Sequence, residues 1–167
     1  MKKILLVLLA LAGAWWYFVS SRTLTEERVG TFYQDMERAT LDREPKAICA
    51  LLAEDFETSG TVEIGGRTEE STQDRAQTCE AYVKLYDMFE KLGDKMGGLL
   101  QLDSRYEIHS IRISPDKKTA TVDISTALDV AGTIMNIRSR NTDTLIRRNG
   151  KVLLLRSEGK GSIRSGG

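Results

Sequence analysis

One histidine, His109, and two cysteines, Cys49 and Cys79, are all the imidazole and thiol ligands in this 167-residue chain. A zinc site of the usual His/Cys type needs more ligands, and neither C-x-x-C nor H-x-x-x-H spacing occurs. No metal and no cofactor is therefore expected. The P-loop, the dinucleotide-binding glycine fingerprint and the G-x-S-x-G nucleophile elbow are missing too, which removes the commonest phosphate, nicotinamide and hydrolase signatures. Net charge is also missing, because 24 basic residues balance 24 acidic ones. A nucleic-acid surface would combine a basic stripe with exposed aromatics. The basic C-terminal third has almost no aromatics, so no nucleic-acid partner is expected. Internal repeats and low-complexity tracts are absent.

What is present begins with an apolar run. Lys2 and Lys3 precede Ile4 to Val19, which carry no charge, and the run closes on Trp15, Trp16, Tyr17 and Phe18. As a helix it would span about 24 Å, slightly short of a ~30 Å hydrocarbon core, with its aromatics at the headgroup boundary. The sequence predicts that residues 1–22 are a membrane anchor, with residues 4–19 in the bilayer, or a cleaved signal peptide. Ala12-Gly13-Ala14 and Val19-Ser20-Ser21 are the two cleavage candidates. Either outcome places the remainder on the exported, periplasmic side of the inner membrane, in the cell envelope. There the two cysteines acquire a second meaning. A Cys49–Cys79 disulfide would suit an oxidising compartment, and two buried thiols acting as small apolar residues remain the alternative.

The 145 residues after the run suit one ordinary domain with a single core, assigned to residues 23–158, and residues 159–167 read as a flexible tail. At 29 % charged and 41 % apolar overall the composition is that of a folded chain. Charge is unevenly laid out: residues 23–100 carry 17 acids and 9 bases, and residues 137–167 carry 8 bases and 2 acids. Such asymmetry steers an anionic partner toward the C-terminal third, or simply forms two solvated surfaces.

Thr25 is a good N-cap, followed by Glu26 and Glu27 where the helix dipole favours negative charge. Val29, Phe32, Tyr33, Met36 and Thr40 then recur at helical spacing, predicting a helix over 25–42. Pro45 opens a second helix, with Ile48, Leu51, Leu52 and Phe56 on its apolar face. A short strand is expected at 61–64 between glycines. Ser71 with Asp74 marks a third helix start, and Cys79, Val83, Tyr86, Phe89, Leu92 and Met96 form its stripe up to Gly97-Gly98. The remainder reads as strands. Tyr106 and Ile108 share one parity and Ile111 and Ile113 the other, which predicts a bulge near His109 and Ser110. Residues 119–130 alternate cleanly, a strand covers 134–147, and Asn149-Gly150 is a hairpin signal before a closing strand at 151–157.

This order resembles the NTF2-like superfamily, the cone-shaped α+β fold of nuclear transport factor 2, ketosteroid isomerase, scytalone dehydratase and the SnoaL-like cyclases. The carriers are the helix pair ending in "ICALLAEDFE", the "GG" turn before the long helix, and "TLIRRNGKVLLLRSE". The resemblance implies three helices on a curved antiparallel sheet that encloses a pocket. It implies no single activity.

Pocket candidates follow from strand parity. Met135, Ile137, Ser139, Asn141, Asp143 and Leu145 share one face of their strand, and Arg138, Arg140, Thr142 and Thr144 share the other. The arginine face should be wet, so the first face points inward, with polar groups amid apolar ones. Tyr33 and Met36 reach the same space from the first helix. An inward Tyr and Asp are similar to the ketosteroid isomerase arrangement, which makes Tyr33 and Asp143 catalytic candidates, with Asp55 and His109 as further possible bases. Three readings follow. The leading one is a non-catalytic module that binds a small apolar or amphipathic ligand or docks an envelope partner. The second is an isomerase- or dehydratase-like enzyme. The third is an assembly component of an envelope secretion machine of the VirB8 type, self-associating through an apolar outer sheet face, with an envelope protein or a second copy of the chain as its partner.

Overall fold

The computed structural model describes residues 23–98, 100–132 and 134–165. The apolar run and its anchor-or-signal expectation lie outside the described residues, as do residues 166–167. Among the described residues no helix is long and apolar enough to cross a membrane.

Helix α1 (Glu26–Leu41) starts where Thr25 accepts from the Arg28 amide at 3.3 Å. It buries Val29, Phe32, Tyr33 and Ala39, the stripe its periodicity dictates. Helix α2 (Pro45–Ala50) is shorter than the sequence suggests. Leu52 and Phe56, expected on its apolar face, instead open strand β1 (Leu52–Ile64). An apolar pair four residues apart fits a helix as well as an irregular strand start, and here the sheet claims it. Asp55 goes with it. The short strand expected at 61–64 is thus the distal end of a 13-residue strand.

Gly65 and Gly66, both at positive φ, turn the chain into strand β2 (Arg67–Asp74), which contains Ser71. Helix α3 (Arg75–Lys95) is capped by Asp74 rather than by Ser71. The Asp74 carboxylate accepts from the Gln77 amide at 2.8 Å, and the Gln77 side chain accepts from the Asp74 amide at 3.1 Å. The helix ends at Gly97, where φ is +77°. Of its expected stripe Tyr86 and Phe89 are buried, whereas Val83 and Met96 are exposed. The actual buried line runs through Thr78, Tyr86, Phe89 and Gly93.

Strands β3 (Leu102–Ile113), β4 (Thr119–Val130), β5 (Met135–Arg148) and β6 (Lys151–Ser165) complete a curved six-stranded sheet in the order β2-β1-β6-β5-β4-β3. Two features depart from the expected all-antiparallel sheet and flexible tail. Strand β1 runs parallel to β6, and residues 159–165 continue β6, pairing with both β1 and β5. Their glycines and lysine look tail-like in sequence, but neighbours on both sides satisfy their backbone groups. His109 is the extra residue of a bulge in β3, as its phase change predicts, because the register jumps from Ile108↔Ile124 to Ser110↔Asp123. Asn149 and Gly150, both at positive φ, form the β5–β6 turn.

The three helices cover one face of the sheet. One cluster joins Val29, Phe32 and Tyr33 of α1 to Val122, Ile124 and Leu145 of the sheet. A second joins Ile48 of α2 and Tyr86 and Phe89 of α3 to Val130. Cys49 and Cys79 are disulfide-bonded, with Cα atoms 5.7 Å apart, which ties α2 to α3.

Candidate functional site

Between the helices and the sheet lies a cavity of about 540 Å³. Phe32, Met36, Leu52, Phe56, Leu85 and Leu154 supply much of its apolar wall. Its polar floor comes from β5, whose alternation turns Ile137, Ser139, Asn141 and Asp143 inward and leaves Arg138, Arg140 and Thr142 exposed. Met135 starts the same face but packs near Val130 and does not line the cavity.

Asp143 is the centre of the floor, with 5 % of its surface exposed. The Tyr33 hydroxyl donates to its Oδ2 at 2.8 Å and the Ser157 hydroxyl to its Oδ1 at 2.7 Å. A single inserted residue decides the second partner. Leu145 pairs with Leu154 but Thr144 pairs with Arg156, so Leu155 bulges out of register. Without that bulge Arg156 would stand opposite Asp143; with it, Ser157 does. A guanidinium there would hold the carboxylate ionised, whereas a hydroxyl leaves burial dominant. Burial accordingly raises the Asp143 pKa above the ordinary aspartate value, against the opposing pull of Ser157 and Tyr33. Burial, together with the Asp143 charge and hydrogen bond, also pushes the Tyr33 phenol far up, so Tyr33 is a proton donor in this bond and not a phenolate.

Next to Asp143, the Asn141 amide nitrogen donates to Ser139 Oγ at 3.1 Å, and Ser139 Oγ shares a hydrogen bond with Thr126 Oγ1 at 2.8 Å. The Asn141 carbonyl oxygen lies over Gly159, in the space where a Cβ would sit. Across the cavity α3 contributes Tyr82, whose pKa is raised by burial and by the Asp143 charge. Tyr86 donates to the Thr40 carbonyl at 3.2 Å and is pushed up to about 12, chiefly by burial. Glu37, Ser104 and Tyr106 form a wetter edge between α1 and β3.

The other two catalytic candidates lie elsewhere. Asp55 is exposed on β1 and paired with Arg148 at 2.5 and 2.9 Å, which holds its carboxyl below the usual range. His109 is exposed at its bulge, with Nε2 2.8 Å from Ser125 Oγ. Neither lines the cavity. Tyr33, Met36, Ile137, Ser139, Asn141 and Asp143 do come together there. Ser157 and Tyr82 escaped the sequence reading. Ser157 was hidden by the Leu155 bulge, while Tyr82 sits four residues before Tyr86 on one helix face, a spacing the sequence does show. Among the described residues no cluster of His, Cys, Asp and Glu is placed to hold a metal ion.

No family model matches the chain, and no curated protein matches it. Solved structures do. A candidate scytalone dehydratase from Novosphingobium aromaticivorans is 14 % identical with a TM-score of 0.60, over 84 % of this chain and 86 % of that one. An NTF2-like protein of unknown function from Shewanella oneidensis is 14 % identical with a TM-score of 0.57, over 82 % and 99 %. A ketosteroid isomerase-like protein from Erwinia carotovora atroseptica is 15 % identical with a TM-score of 0.52, over 83 % and 95 %. At these identities the likeness concerns the fold, and the chain has the NTF2-like fold.

Proposed function

We propose that the domain binds a small, largely apolar molecule in its cavity without transforming it, as an exported module of the cell envelope. The observation that carries this is the cavity itself: apolar walls around a short polar floor form the usual architecture of a small-molecule site. The Cys49–Cys79 disulfide supports the exported location, since such bonds persist in oxidising compartments. The apolar run at residues 4–19 supports a tether or an export signal. Native mass spectrometry of the protein extracted without reductant tests the reading. An adduct that leaves under collisional activation supports ligand carriage, and an intact N-terminus supports the anchor. A bare polypeptide mass from gentle extractions would instead favour docking of a partner protein.

A second reading, proton-transfer chemistry of the isomerase or dehydratase kind, is favoured by one observation. Tyr33 and Asp143 share a short hydrogen bond inside the cavity. Against it, each Asp143 oxygen already accepts from a protein hydroxyl, and the other carboxylate lining the cavity among the described residues, Glu37, lies at the wetter edge and not on the floor. Conversion of a β,γ- to an α,β-unsaturated ketone, followed in the ultraviolet and abolished in Asp143→Asn, would establish this reading over the first. The assembly reading expects an apolar outer sheet face. That face instead carries Arg105, Arg138 and Asp129 in ion pairs of 2.7–2.8 Å, with Arg140 and Lys160 opposed across β5 and β6.

A further inference from the structure

Most polar groups around the cavity spend their hydrogen bonds within the protein. Tyr33 and Ser157 serve Asp143, Thr58 serves the Ser157 carbonyl, and Thr40 serves the Met36 carbonyl. Thr78 Oγ1 has no partner, and although Thr78 borders the cavity that oxygen itself has almost no exposed surface. Of the cavity groups without a protein partner, Ser104 and Tyr106 belong to the wetter edge, and two others lie toward Asp143, Tyr82 within reach of its charge and Asn141 on the same face of β5. Among the described residues nothing bonds the Tyr82 hydroxyl, and nothing donates to the Asn141 carbonyl oxygen. Both residues line the cavity. The Asn141 oxygen has its orientation imposed from behind, because the amide nitrogen is committed to Ser139 and Gly159 leaves the room.

We infer that Tyr82 and Asn141 together read a hydroxyl group, so that the ligand is a neutral, mostly apolar alcohol or phenol. This rests on the ligand-binding reading above and narrows it. A hydroxyl accepts from Tyr82 and donates to Asn141 at once, whereas a ketone or ether leaves the Asn141 oxygen unanswered. A carboxylate is disfavoured by the neighbouring Asp143. Among the described residues Arg105 is the cation that borders the cavity, and its guanidinium is turned to Asp129 at 2.8 Å on the outer face of the sheet. An unanswered acceptor at a desolvated site discriminates strongly between otherwise similar ligands.

The test titrates the full chain, and its Tyr82→Phe and Asn141→Ala variants, with 2-naphthol and with 2-methoxynaphthalene, read by calorimetry. Both probes can accept a hydrogen bond through oxygen, but only the naphthol can donate. Tyr82→Phe should weaken both probes by about three- to tenfold, and Asn141→Ala should weaken 2-naphthol alone by a similar factor. Unchanged 2-naphthol binding in both variants overturns the inference while leaving the cavity reading intact. Equal weakening of the two probes by Asn141→Ala also overturns it, since the effect would then be one of shape. Failure of the wild-type chain to bind either probe overturns the cavity reading and this inference with it.

Discussion

Replacing Tyr33 with Phe removes one hydroxyl and keeps the ring that packs on Phe32 and Tyr106 at 5.1 and 5.7 Å. The loss falls on Asp143 Oδ2, which has Tyr33 as its donor at 2.8 Å. A hydrogen bond to an ionised acceptor contributes about 1.5–3 kcal/mol, and one to a neutral acceptor about 1 kcal/mol. The cost therefore depends on the protonation of Asp143, and its sign can be followed. Burial raises the Asp143 pKa in the folded state. Its contribution to stability is then fully present below the unfolded-state value and is lost as pH rises through the folded-state value. Tyr33 pulls that folded value down, so its removal lifts it further and enlarges the loss at neutral pH. The variant should be about 1 kcal/mol less stable than wild type where Asp143 is protonated and about 2–3 kcal/mol less stable where it is ionised. At roughly 3–4 °C per kcal/mol for a domain of this size, the melting point on the ionised side should drop by about 6–12 °C. Urea melts over a series of pH values upward from the ordinary aspartate range, followed by circular dichroism, measure the difference. A penalty that does not grow with pH across the series would refute the reasoning.

Three further expectations rest on the same geometry. Asp143→Asn removes the ionisation that burial opposes, so melting temperature should fall less steeply between about pH 4 and 8 than in wild type; a thermal melt at each pH reads it, and an unaltered slope would assign the linkage to another group. Opening the Cys49–Cys79 bond, which spans 30 residues, should cost about 3–4 kcal/mol in the chain-entropy view, measured as the urea midpoint of Cys49→Ser/Cys79→Ser against wild type. Gly159→Ala would place a methyl against the Asn141 side chain and the Arg140 carbonyl, so a loss of about 1–3 kcal/mol and weaker 2-naphthol binding are expected together; an Ala variant as stable as wild type would mean that β6 can shift away.

Much of the scaffold was legible in the sequence because periodicity and turn chemistry are local. Thr25 capping a 3.6-residue stripe placed α1, Asn149-Gly150 placed a hairpin, and the phase change at His109 placed a bulge. The inward face of β5 was legible for the same reason, since two-residue alternation separates Asp143 from Arg140 without any knowledge of the partner strands. What escaped depends on contacts distant in sequence. Leu52 and Phe56 read as helix because nothing nearby announces that β6 will pair alongside them. Asp55, which lies between them, remained a candidate base for that reason, and its partner Arg148 is 93 residues away. Ser157 was invisible as a partner of Asp143 because Leu155 shifts the register by one, and an extra residue leaves no mark on composition. Residues 159–165 looked like a tail because glycine in isolation argues against a strand, whereas here Gly159 makes room for Asn141.

The parallel pairing of β1 with β6 also sets a timetable. Strand β1 and its hairpin partner β2 come well before β6 along the chain, yet only β6 joins them to the remaining strands. Until residues 151–165 dock, β1 has an unsatisfied edge and the floor of the cavity has no Ser157 to meet Asp143. Such late, long-range closure makes for slow folding and a prolonged interval of exposed strand edge. A folding chain of this protein is therefore most in need of protection just before β6 docks, and the cavity comes into being in the same step that ends the need.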